Sequence, residues 1–247
     1  MAIGAKKMRS RFQRILAVDV GTQSLRVNVV DRNYDTIDTA RVSYFPRVYS
    51  KNWVEIEADI LWQAFIQTCS ELTPGQPLDA ISFSTLCPSL LAMDPDGRPI
   101  SPIILHMDRR SHRQARWALD RVGEEKFLGI AGNLPFPGGI SATSLLWIRD
   151  NYPDIYHRSD VTFGHVVTFF MKRLTNRFLI DPSNASFTGF YDTVGYGTWS
   201  PELLSDLEME VEKLPRVVMS ETIVGELDPA IARAARLPKG IPVIIGA

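Results

Sequence analysis

The residues best suited to chemistry are Asp19-Val20-Gly21-Thr22-Gln23-Ser24, where an apolar strand gives way to its antiparallel partner. A carboxylate at the end of a buried strand stays hydrated enough to remain charged, so Asp19 can hold the water shell of a Mg²⁺ ion. Gly21 lets the backbone turn without a Cβ and approach a polyphosphate closely. Thr22 and Ser24 add hydroxyl donors beside exposed backbone N–H groups, with Gln23 between them. The same pattern also suits an ordinary hairpin turn held by an Asx-type hydrogen bond. It is neither a dinucleotide fingerprint nor a P-loop, because GxGxxG and GKS or GKT are absent.

The elements around this turn set its position. ILAVDVGTQSLRVNVVD predicts a β-hairpin over Ile15 to Asp31, and Thr36 to Ser43 a third strand. Apolar spacing at Ile60, Leu61, Ala64, Phe65 and Thr68 predicts a helix of three or four turns from Ala58. AISFS is a strand, and Asp96-Gly97 in SLLAMDPDGRPI sits between two strand candidates as a hairpin turn. DRRSHRQARWALDRVG and SATSLLWIRDN read as helices, the second with Ser141 or Thr143 as N-cap. VTFGHVVTFFMKRL is a strand passing into a helix, DPSNASFTGFYD a loop leading to an aromatic strand, SPELLSDLEM a short helix, and GIPVIIGA a buried strand. Hairpins followed by helices predict an α/β domain with a mixed sheet flanked by helices.

Bulk properties exclude several partners. The formal net charge of −1 across 247 residues gathers neither nucleic acid nor anionic membrane. No stretch approaches the roughly 18 unbroken apolar residues of a membrane span. Cys69 and Cys87 lack metal or disulfide spacing, which favours a reducing, cytoplasmic setting. Lys6, Lys7, Arg9, Arg11 and Arg14 mark residues 1–14 as a basic tail. Trp53, Trp62, Trp117 and Trp147 read as packing residues.

Five segments in order carry a resemblance. ILAVDVGTQSLRVNVVD resembles the first phosphate loop of actin-like sugar kinases. HMDRRS resembles the WxDxR block of the FGGY carbohydrate kinases, SATSLLWIRDN their S-A-T-K-L-x-W-L helix, and DPSNASFTGFYD their D-x-S-N-A-S-x-T loop. GIPVIIGA resembles their G-x-P-V strand. The resemblance covers 15–247 and implies an actin-like, ribonuclease H-like ATPase domain, one lobe of a two-lobed, xylulokinase-like kinase.

That resemblance implies ATP and Mg²⁺ as cofactors, with Asp19 near the metal and Gly21, Thr22, Gln23 and Ser24 in the phosphate loop. It implies a sugar or polyol substrate beside Cys87, Pro88, His106, Asp108 and Arg109. A carboxylate and a guanidinium together satisfy vicinal hydroxyls, although Asp108 and Arg109 also suit a surface ion pair at a helix start. Thr85-Leu86-Cys87-Pro88-Ser89 stands where family members commonly read G-Q-M-H-G or G-Q-R-E, and His106 where they carry Trp. His106 suits substrate contact and a satisfied, partly buried histidine equally. Cys87 reads as lining or core rather than nucleophile.

In the family the catalytic base is an Asp beyond the G-x-P-V strand, and the sequence stops at Ala247 before it. The expectation is a first lobe that lacks both the base and the C-terminal lobe of the same protein, and is therefore inactive alone. The rival expectation is a sugar-sensing or scaffolding protein that kept the fold and lost catalysis. Homodimer formation is left open.

Overall fold

The computed structural model describes residues 12–50 and 52–247, so the basic residues Lys6, Lys7, Arg9 and Arg11 lie outside the described residues. Arg14, expected in the tail, is instead the first residue of β1, paired with Asp31.

The chain runs β1 (Arg14–Val20), β2 (Ser24–Asp31), β3 (Thr36–Ser43), β4 (Arg47–Ser50), β5 (Trp53–Ile56), α1 (Ala58–Ser70), β6 (Ala80–Thr85), β7 (Ser89–Met93) and β8 (Ile103–Leu105). It continues through α2 (His112–Val122), α3 (Glu124–Ala131), α4 (Ser141–Asn151), α5 (Pro153–Tyr156), β9 (Thr162–Gly164), α6 (Val166–Thr175), β10 (Leu179–Ile180) and α7 (Pro182–Ser186). Last come α8 (Pro201–Asp206), β11 (Arg216–Val217), β12 (Ile223–Glu226), α9 (Pro229–Ala234) and β13 (Pro242–Ile244).

Six strands form the main sheet in the order β12-β13-β6-β1-β2-β3. β1, β2 and β3 are an antiparallel meander, whereas β6 is parallel to β1 and β13 parallel to β6. The expected mixed sheet is therefore present. A second, antiparallel sheet has the order β4-β5-β8-β7-β9.

Period-2 alternation explains the central hairpin. Leu16, Val18 and Val20 of β1 and Leu25, Val27 and Val29 of β2 are buried, and Asp19 falls on the opposite, exposed face. α1 and α6 meet in an aromatic cluster, in which the buried Phe170 contacts the rings of Trp62, Phe65, Phe83 and Phe169. Three short helices start on a capping residue followed by proline: Asp181-Pro182, Ser200-Pro201 and Asp228-Pro229. Each cap side chain accepts backbone N–H groups of the first turn, while proline fills a position whose N–H needs no partner.

The hairpin expected at Asp96-Gly97 is present, since β7 and β8 pair antiparallel across it, but its return strand starts later than expected, and two other local expectations are corrected. Around Asp96-Gly97 the Asp94 side chain holds the turn by accepting from Asp96 N and Arg98 N. The returning strand, however, resumes only at Ile103, because Pro99 and Pro102 cannot donate to a ladder. α4 is capped by neither Ser141 nor Thr143; Ile140 is the N-cap and makes no side-chain cap bond. After DPSNAS there is no aromatic strand, only the single bridge Tyr191–Trp199, with a short helix before it.

Phe170→Ala empties the centre of the aromatic cluster, with an expected loss of about 3–5 kcal/mol of folding stability. Urea unfolding measures it, and a loss under about 1 kcal/mol would show that the cluster closes over the gap.

Candidate active site

Parallel register brings the candidate residues together. Asp19 pairs with Ser84 and Val20 with Thr85, and Leu86 N donates to Val20 O at 2.8 Å. The bend Asp19–Ser24 and the segment Thr85–Pro88 thus leave adjacent parallel strands side by side, and Thr85 N donates to Ala247 O beyond β13 at 3.1 Å. Ligands of open α/β sheets gather at such carboxyl ends.

The bend is open. Asp19 and Gln23 are exposed, and Gly21, Thr22 and Ser24 are half-buried. Gly21 N donates to Ser24 O at 2.9 Å, so this one N–H is already used in closing the turn. Tyr44 braces it from below: its hydroxyl donates to Gly21 O at 2.6 Å, and its backbone N donates to Gln23 O. Burial, with the Asp19 charge added, pushes the Tyr44 phenol well above its ordinary range, so it remains a donor. Among the described residues no group of three or more His, Cys, Asp or Glu could hold a metal. A cation at Asp19 would therefore draw most of its ligands from phosphate oxygens and water, as suits Mg²⁺.

Beyond Cys87 in the chain, Pro88 lines one small crevice with His106, Gly138 and Ser141. His106 Nδ1 is buried without a partner, and burial together with the Arg109 charge lowers the imidazole pKa. Arg109 Nη1 donates to His106 O, Asp108 O and Pro137 O at 2.7, 2.9 and 3.0 Å. Gly138 permits this convergence: at φ +74° a Cβ would collide with His106 O and with the Arg109 guanidinium.

Asp108 does not lie where a ligand's hydroxyls could reach it. Its side chain is 1% exposed, and its oxygens accept from Val54 N, Arg110 N, Arg110 Nε and Arg110 Nη2. Arg110 also donates to Glu55 Oε1 at 2.6 Å, between the rings of Trp53 and Trp147 at 4.2 and 4.8 Å. A buried guanidinium demands paired carboxylates, and Asp108 is committed to that demand.

Sequence reasoning assigned no role to the network behind Cys87. Cys87 Sγ lies 3.6 Å from Nδ1 of the fully buried His165. Asn184 Nδ2 donates to Asp181 Oδ2, which turns Asn184 Oδ1 toward His165 Nδ1 at 3.3 Å. That oxygen only accepts, so Nδ1 carries the proton, and Nε2 accepts from Ser141 Oγ at 2.9 Å. Burial lowers the His165 pKa to about 4 and, with Asp181 nearby, pushes the Cys87 thiol up. Both groups are neutral near pH 7, so Cys87 is no thiolate nucleophile. SATS and DPSNAS were visible as blocks, but nothing in the sequence joined them to His165.

Residues 14–247 match the N-terminal domain of the FGGY family of carbohydrate kinases. The chain belongs to that family. It is 25% identical over 235 residues to a xylulose kinase of Staphylococcus xylosus, covering 94% of this chain and 48% of the relative. It is 30% identical over 244 residues to a glycerol kinase of Alkalilimnicola ehrlichii, again covering 94% and 48%. The crystal structure of a xylulose kinase from Rhodospirillum rubrum superposes with a TM-score of 0.88 at 21% identity, covering 95% of this chain and 49% of that one. The FGGY domain here therefore has the actin-like, ribonuclease H-like fold, and it spans about half the length of the curated relatives it matches. Among the described residues no helix is long and apolar enough to cross a membrane.

Two outcomes follow from this geometry. Asp108→Asn leaves Arg110 with Glu55 as its one carboxylate and is expected to cost about 1–3 kcal/mol in urea unfolding; an unchanged midpoint would show that Glu55 alone holds the guanidinium. His165 titrates at about 4 folded against 6.5 unfolded, so the unfolded chain takes up the proton first. Stability then falls as pH drops from about 6.5 toward 4, by up to about 3 kcal/mol, and is intact above that window. Burial raises the Asp181 pKa, so near the acid end this carboxyl offsets part of the loss. His165→Gln should flatten the slope of stability against pH, and an unaltered slope would place the acid sensitivity elsewhere.

Proposed function

We propose that this FGGY domain is the phosphate- and sugar-facing lobe of an ATP-dependent kinase that transfers the γ-phosphoryl group to a hydroxyl of a ketose or polyol, xylulose-like in class. The observation carrying this reading is the adjacency of the Asp19–Ser24 bend and the Thr85–Pro88 segment at the ends of two paired parallel strands. In this reading Asp19 holds the hydration shell of Mg²⁺ bound to nucleotide phosphate, Thr22, Gln23 and Ser24 offer backbone and side-chain donors to the same phosphates, and Gly21, whose N–H closes the turn, contributes the close approach that a missing Cβ allows. Mg-ATP supplies the phosphoryl group and the neutralising charge.

The sugar side is assigned to Cys87, Pro88, His106 and Arg109, with Asp108 holding their loop in place from behind. His106, kept neutral by burial and by Arg109, suits a hydroxyl better than a carboxylate. Cys87 contributes position, since its thiol is turned to His165. A base to accept the hydroxyl proton, and a second wall for the nucleotide, are assigned to the other half of a protein as long as the relatives. The 247-residue chain is accordingly proposed to be inactive alone.

The test is a coupled ADP-release assay on a full-length protein carrying this domain, against pentuloses, hexuloses and polyols. Turnover is expected with one of these classes, Asp19→Ala should lower kcat on the order of 10²- to 10³-fold, and the isolated chain should show none. Sugar binding without turnover in the full-length protein would establish the rival sensing role. Silence in both binding and turnover would overturn the assignment.

A further inference from the structure

A cavity of about 350 Å³ opens on the second sheet, walled by Trp53, Ile104, Trp147, Tyr152 and Ile155. No residue of the Asp19–Ser24 bend or of the Thr85–Pro88 segment lines it. Its size falls in the range of small-molecule sites, which are mostly apolar with a few placed polar groups. Here the polar lining is chiefly Glu55 and Arg110.

The charges at that polar end are unequal. The Arg110 side chain is 2% exposed, and its Nε, Nη1 and Nη2 donate to Asp108 and Glu55, so one guanidinium faces two carboxylates. An adjoining depression shares Ile100, Ser101 and Pro102 with the cavity and adds Glu57 and Asp59, both exposed. Asp59 lies 3.8 Å from Arg173 and Glu57 within the field of Arg47, contacts at exposed positions that leave both carboxylates hydrated. Among the described residues lining the two depressions Arg110 is the only cation, and it is already matched.

We propose that this cavity binds small organic cations, molecules with an aromatic or apolar body and an ammonium head. The body would pack among Trp53, Trp147, Tyr152 and Ile155, and the head would sit at Glu55 toward the acidic rim. An anion would meet Glu55, and the Arg110 guanidinium beside it already has its Nε, Nη1 and Nη2 donating to carboxylates. The inference is independent of the kinase assignment, since no residue assigned to contact phosphate or sugar lines the cavity.

The experiment titrates the purified protein with 2-phenylethylammonium, 2-phenylethanol and phenylacetate, following the indole N–H signals of Trp53 and Trp147 by NMR. The expected result is saturable shifts at these two indoles, with the ammonium binding about tenfold or more tighter than the alcohol, a difference of about 1.4 kcal/mol, and phenylacetate weakest. Glu55→Gln should bring ammonium and alcohol within about threefold. Because that change disturbs the Arg110 pair, the exposed double variant Glu57→Gln/Asp59→Asn serves as a second reading, and it should weaken the ammonium alone. Ile155→Trp should fill the cavity and abolish all shifts, and Tyr152→Ala, which removes an exposed wall, should weaken both bodies. Equal affinity for ammonium and alcohol, preference for phenylacetate, or no saturable shift at either indole would overturn the proposal.

Discussion

The structure depends on the pairing of β1 between β2 and β6. Leu16, Val18 and Val20 share one face of the pleat and are buried, and this forces Asp19 onto the other face, where a carboxylate can stay hydrated. A one-residue slip would drive Asp19 into the core and expose three aliphatic side chains. The parallel register with β6 then sets the Thr85 end of that strand beside the bend, and β13 extends the row. The candidate cleft is a consequence of this register, as much as of any residue in it.

The two arginines of HMDRRS divide the work of the second sheet. Arg110 points inward, where Asp108, Glu55 and two indole faces hold a charge that would otherwise be costly to bury. Arg109 points outward and ties two carbonyls of its own turn to Pro137 O of the neighbouring loop, which requires Gly138 to bring its backbone close. One turn of chain therefore anchors β5 through Val54 N and shapes the rim around His106.

Much of the fold was legible because it follows local rules. Alternation in ILAVDV and LRVNVV, helical spacing from Ala58, and the Asp-Pro and Ser-Pro starts each specify an element without distant partners. The open bend at Asp19 was legible for the same reason. Asp108 was misjudged because adjacency in sequence does not tell which carboxylate a buried guanidinium will recruit, and here the deciding partners are Glu55 and Trp53, more than fifty positions away. The expected strand after DPSNAS failed because aromatic content alone supplies no pairing partner. His165 was invisible: its three partner segments, at Cys87, Ser141 and Asn184, meet only in the folded chain.

That meeting point also bears on the order in which the molecule assembles. His165 joins Cys87 across 78 positions and Ser141 across 24, from a seat with no solvent access. Closing long loops must precede the reward of the contacts they allow, so a polar knot of this kind tightens late, after the surrounding apolar surfaces have collapsed. The floor beneath Cys87 is consequently a property of the assembled chain, since it exists only where these distant segments have met.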